Sequence, residues 1–215
     1  MNSTTTRPQV DTDIRALFAD AVATGATVIA NIRPDQLDAP TPCPDFDVRQ
    51  LTAHLVEVLH RVTRIGRGED PFGRPPTPPL SDDGWLEAWT AAGDDVRTAW
   101  TDDATLTRTV VLPWSQQSGA DTLATFASEV SVHTWDLATA TGQRPQWNPA
   151  VLEAALAAIT AVLPAATGRL DSFEALRAQL PEQFRNATPP FADAVPVADD
   201  AALIDRLVAW NGRRP

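Results

Sequence analysis

Three histidines (His54, His60 and His133), one cysteine (Cys43) and a surplus of carboxylates are the side chains of this 215-residue chain best suited to bind a metal, move a proton or act as a nucleophile. All 17 basic residues are Arg and there is no Tyr. Schiff-base and pyridoxal phosphate mechanisms need a Lys amine, and phenol general acids need Tyr, so both are excluded. Catalysis must therefore draw on His, Cys, carboxylates or a bound group.

The spacing sorts these candidates. At about 100° per helical residue, His54 falls at the margin of the apolar arc formed by Leu51, Leu55, Val58, Val62 and Ile65, whereas His60 lies roughly opposite its centre, beside Glu57 and Arg64. His54 is expected to point inward and His60 to be a solvated surface residue. His133 borders the arc of Phe126, Val130 and Leu137, and Glu129 precedes it by one turn. An i, i+4 pair brings both side chains to one side of a helix, as chelation of a single ion requires. A carboxylate at the edge of a core also needs a partner, whether a cation, an Arg or a metal. A hydrogen-bonded core histidine and an intrahelical Glu–His contact fit the same residues. Cys43 precedes a helix start, where a thiolate is favoured; flanked by Pro42 and Pro44 in a turn, it is expected to pack. Asp136, three residues after His133, is a candidate acceptor behind a ligand imidazole.

These residues must be positioned by helices. Apolar residues at threes and fours predict a first helix from Asp11 to Asn31, stopped by Pro34. Asp47 with Gln50 three residues on forms a capping box, so the second helix starts there and carries His54. The Pro-rich stretch 71–79 predicts an extended connection. A third helix from Ser81 places Trp85, Trp89, Val96 and Trp100 in the core. Thr105 to Trp114 predicts a short strand or hairpin. A fourth helix, opening near Ser118 or Asp121 and ending at Gly142, carries Glu129 and His133, and Trp135 on its other side is placed against the chain's C-terminal part. A fifth fits Pro149 to Leu163, and shorter pieces follow at Ser172–Leu180 and Asp199–Trp210. The organisation read from this is a flexible N-terminal tail over residues 1–10, a helical bundle over 11–163 and a C-terminal wrap over 164–215.

Charge and hydropathy narrow the partners. The net charge of −11 and the pI near 4.6 oppose nucleic-acid binding. Arg61, Arg64 and Arg67 read as a solvated helix edge, and Arg213 and Arg214 as a tail. No apolar run approaches the roughly 20 residues that span a bilayer, a single Cys cannot form an internal disulfide, and the polar start is not a signal peptide. A cytoplasmic location is expected.

Two segments resemble the signature stretches of the mycothiol-dependent maleylpyruvate isomerase family, within the DinB/YfiT-like superfamily of metal-binding four-helix bundles. They are Thr41-Pro-Cys-Pro-Asp-Phe-Asp-Val-Arg-Gln-Leu-Thr-Ala-His54-Leu and Glu129-Val-Ser-Val-His133-Thr-Trp-Asp-Leu-Ala-Thr-Ala-Thr-Gly142. The closing Asp205-Arg-Leu-Val-Ala-Trp-Asn-Gly-Arg-Arg-Pro215 resembles the end of a branch called metal-binding proteins. The resemblance implies a mainly all-α fold, a four-helix bundle with a short β element and a small C-terminal extension. It also implies that the second and fourth helices face each other, with His54, Glu129 and His133 as ligands of a divalent metal, zinc foremost, with nickel, iron and manganese also suited.

The implied activity is a metal-dependent thiol S-transferase or isomerase, using mycothiol as cosubstrate on a small electrophile, in a monomer or homodimer. The isomerases carry a longer, distinct C-terminal domain than residues 164–215 supply, which separates this chain from maleylpyruvate itself. The alternative is a metal-containing, small-molecule-binding, stress-linked or biosynthetic tailoring protein that uses no thiol.

Overall fold

Four long helices pack in a ring because each turns a broad apolar face to a shared core. In a computed structural model, residues 13–73, 84–180, 182, 185 and 192–215 are described. The 1–10 tail, the start of the third helix at Ser81 and most of the Pro-rich stretch lie outside them. The elements are α1 Ile14–Ala30, α2 Val48–Arg67, α3 Trp85–Ala99, α4 Asp103–Thr107, β1 Thr109–Leu112, β2 Ser115–Ser118, α5 Gly119–Thr141, α6 Pro149–Val162, α7 Arg169–Arg177 and α8 Leu203–Trp210. The chain is mainly all-α. Around the ring, α1 packs on α5 and α3, and α2 packs on α3 and α5. None of the described helices is long and apolar enough to cross a membrane.

The helix that carries His54 is fixed at both ends by local chemistry. Asp47 Oδ1 accepts from the Gln50 N–H at 2.7 Å and Gln50 Oε1 accepts from the Asp47 N–H at 3.0 Å, closing the capping box. Gly68 in the left-handed region ends the helix. Ahead of it, the Thr41 hydroxyl donates to the carbonyls of Cys43 at 2.9 Å and Phe46 at 2.7 Å. The Pro-Cys-Pro turn is thereby held against the start of α2.

The strand or hairpin expected over Thr105 to Trp114 begins instead in α4 and continues as β1, which pairs antiparallel with β2, Thr109 opposite Ser118 and Leu112 opposite Ser115. Asp102 caps α4 through the Ala104 N–H, which explains why helix precedes strand there. Helix α5 is the common wall of two cores. One face enters the main core with Leu51, Leu55, Val58, Trp89 and Trp100; Val132 on another face joins Leu152, Ile159, Leu207 and Val208, with Trp135 packed alongside as its side of the helix predicts.

Two buried indoles tie the bundle together. Trp89 Nε1 donates to the Val22 carbonyl and Trp100 Nε1 to the Val62 carbonyl, each at 3.0 Å. Both carbonyls belong to neighbouring helices, so each indole fills volume and satisfies its own polar atom. The Trp89 ring presses on Gly25 of α1, where an added Cβ would stand 2.7 Å from Trp89 Cζ2. Gly25→Ala is therefore expected to cost about 1–3 kcal/mol in urea unfolding despite the better helix propensity of Ala. Trp89→Phe, which removes the clashing atoms, should make the double variant markedly less destabilised than the sum of the two singles.

Candidate metal centre

Helices α2 and α5 bring three donors together. One ligand atom each from His54, Glu129 and His133 lie within 4.8 Å of one another, and His54 Nε2 stands 3.4 Å from Glu129 Oε1. The His54 and His133 rings meet edge to face with centroids 5.1 Å apart. The i, i+4 spacing on α5 supplies two of the donors and α2 the third. The side chains of His54 and Glu129 keep 23% and 30% of their surface open, and that of His133 12%. The cluster is walled by protein yet open to solvent on one side.

Each imidazole is held by a second group. His54 is stacked on Phe46, centroids 5.1 Å apart and planes 23° from parallel. His133 Nδ1 lies 3.0 Å from Asp136 Oδ2, at the position its spacing suggested. A carboxylate accepts and does not donate, so Nδ1 carries the proton and Nε2 keeps the free lone pair. Asp136 is fully buried and is also gripped by Arg213, with Nη2 3.0 Å from Oδ2 and Nε 3.3 Å from Oδ1.

The local electrostatics favour ligation. Burial alone would raise the Glu129 pKa, but hydrogen bonding to His54 and the positive charge of His54, Arg61 and His133 prevail, lowering it to about 2. Burial lowers the His133 pKa, and His54 and Arg213 act in the same direction against Asp136. Near pH 7, Glu129 is therefore a carboxylate and His133 a neutral imidazole, the forms that bind a cation. Two imidazoles and a carboxylate within reach of one point suit a divalent metal that retains an open position.

A second trio, Cys43, His133 and Asp136, also gathers within 4.8 Å. It is the poorer donor set. Asp136 is committed to Arg213, and the buried Cys43 thiol has its pKa pushed up chiefly by desolvation, with Asp136 adding to the rise and Arg213 opposing it. Cys43 borders the centre as a packed thiol.

Several residues differ from their sequence-based expectation. His60 is not fully solvated: its Nδ1 lies 3.6 Å from Glu57 Oε2 and 26% of its side chain is open. Arg64 is buried, donating to Glu57 Oε1 at 2.6 Å and to the Pro71 carbonyl at 2.8 and 3.0 Å. For Arg64 the cause is the chain after Gly68, which folds back over the end of α2 and sets the Pro71 carbonyl on the guanidinium; His60 lies against Glu57 of its own helix. Arg213 is not a loose tail, because the turn after α8 directs it to Asp136. Phe46 and Arg61 were not singled out from the sequence; Phe46 precedes its helix, and Arg61 reads as one charge among several.

Comparisons with known proteins identify the family of the chain. The family model described as "Mycothiol maleylpyruvate isomerase N-terminal domain" matches residues 18–138. The uncharacterized proteins MT0763 and Rv0738 of Mycobacterium tuberculosis are each 30% identical to the chain over 188 residues, covering 87% of this chain and 91% of theirs. No solved structure matches it significantly. The match covers His54, Glu129 and His133, and the chain belongs to the mycothiol maleylpyruvate isomerase N-terminal domain family.

Proposed function

We propose that the chain is a metal-dependent thiol S-transferase or isomerase acting on a small electrophilic molecule in the cytoplasm, with His54, Glu129 and His133 as the metal ligands. The observation that carries this reading is the solvent-open His–Glu–His cluster within the helices matched by the family model. A divalent ion, zinc foremost, would supply Lewis acidity that lowers the pKa of a coordinated thiol and makes it a nucleophile at neutral pH.

The protein's own part is to hold the donors ready. Stacking on Phe46 restricts the His54 ring, and Asp136 fixes the tautomer of His133. With its pKa lowered to about 2, Glu129 is ionised near neutral pH without a metal, so no proton must leave it on loading. The exposed side of the cluster would admit a small thiol such as mycothiol to a metal held by these three donors. A thiolate would attack the electrophilic carbon of an activated double bond, its π pair moving onto the conjugated carbonyl, and a proton taken from water at the adjacent carbon would complete a conjugate; with a halide such as monochlorobimane the same attack would expel chloride. If the adduct instead rotates about the former double bond and the carbonyl-held pair returns to expel the thiolate, the double bond would re-form as the isomer with the thiol unchanged. The same first step serves both outcomes.

Protein purified without a His tag and supplied with zinc should hold about one equivalent, and His133→Ala or Glu129→Gln should hold less than about half of that with helix content unchanged. Consumption of monochlorobimane should require both mycothiol and metal and fall at least about tenfold in His133→Ala. Turnover unaffected by that change would sink the reading. Strong stabilisation by a small metabolite in thermal shift, with no response to any thiol, would favour a binding or tailoring protein that uses none.

A further inference from the structure

The family match ends at residue 138, yet a residue beyond it reaches the candidate centre. Arg213 forms a two-pronged pair with Asp136 across 77 positions of sequence, and the same Asp136 Oδ2 receives His133 Nδ1. Asp136 has no exposed surface. A buried carboxylate without a cation is costly, and a forked guanidinium both neutralises it and sets the plane of its oxygens.

The C-terminal segment is built to deliver this contact. Helix α8 lies on α5 and α6. Its end is gripped by Arg169, which is buried and donates to the carbonyls of Ala165 at 2.6 Å, Ala192 at 2.8 Å and Trp210 at 2.5 Å. The chain then turns through Gly212, whose φ of 81° lies in the left-handed region and whose added Cβ would stand 2.8 Å from Ala192 Cβ. The Arg213 N–H returns to the Val208 carbonyl at 2.9 Å, closing the turn. Every residue from Trp210 to Arg213 is thereby held, and the guanidinium is directed at Asp136.

We propose that Arg213 is a positioning residue of the metal centre: it orients Asp136 so that Nδ1 of His133 stays protonated and Nε2 stays available to the ion. The C-terminal turn is on this view part of the centre. The assignment rests on the metal reading of His54, Glu129 and His133. Its sequence signature is an Arg immediately after a helix-ending Gly, and nothing local links that Arg to Asp136.

The test compares wild type, Arg213→Met, Arg213→Lys and, as a control, Arg214→Met at an exposed position. Zinc affinity is measured by competition with a chromophoric chelator, and the His133 tautomer by 15N NMR of the metal-free protein. Arg213→Met should weaken zinc binding about 10–100-fold and turn a single Nδ1–H tautomer into a mixture, while Arg214→Met changes neither. Arg213→Lys, which keeps the charge but not the fork, should be weakened by a smaller factor. Affinity within about twofold of wild type in folded Arg213→Met overturns the proposal, as does an unchanged His133 tautomer. If Arg213→Met does not fold, the same two readings on Arg213→Lys decide, wild-type values overturning it. If wild-type protein takes up no zinc, the metal reading fails; the tautomer comparison in metal-free protein still decides what Arg213 does.

Discussion

The seating of α2 against α5 at His54 and Glu129 is the contact on which the rest of the site depends. A donor pair one turn apart on a single helix offers two ligands and no cage. The third must come from another element and must arrive at the right height. That height is set by the capping box at Asp47, which fixes where α2 begins, and by the Thr41-centred turn that brings Phe46 over the His54 ring. The buried indoles of Trp89 and Trp100 then fix how deeply the neighbouring helices sit. Precision at the three donors is thus inherited from backbone features outside the cluster, in line with the need for rigid support around functional groups.

The chain meets its internal charge problems with one cation type. Lacking Lys, it uses Arg64, Arg169 and Arg213 at buried or half-buried positions, where each satisfies several acceptors at once. A guanidinium is suited to this because it is weakly hydrated and presents donors in a fixed plane. The acidic excess is largely carried on the outside. The interior instead sets Arg213 on the buried Asp136, and Arg61 with the two histidines around Glu129.

How much of this was legible in the sequence follows the range of each interaction. The helix carrying His54, its capping box, the core-facing tryptophans and the Glu129–His133 pair are all written within a few residues, and the all-α class follows from their periodicity. That α2 and α5 face each other came from resemblance, since no local spacing encodes it. Arg64 departs from its helical-wheel position because a wheel knows only its own helix and not the chain that folds back over it. Arg213 was misread because its partner lies 77 residues away, and charges at a chain end ordinarily face water.

Helix α5 contributes to two hydrophobic clusters, the bundle core on one side and the α6–α8 layer on another. The matched family region stops three residues short of its last turn's end at Thr141. The family match therefore ends inside a single rod that both layers grip. Any repacking of the α6–α8 layer would have to respect the Val132 and Trp135 face of α5, so a change made in that layer is felt along the same helix that presents Glu129 and His133.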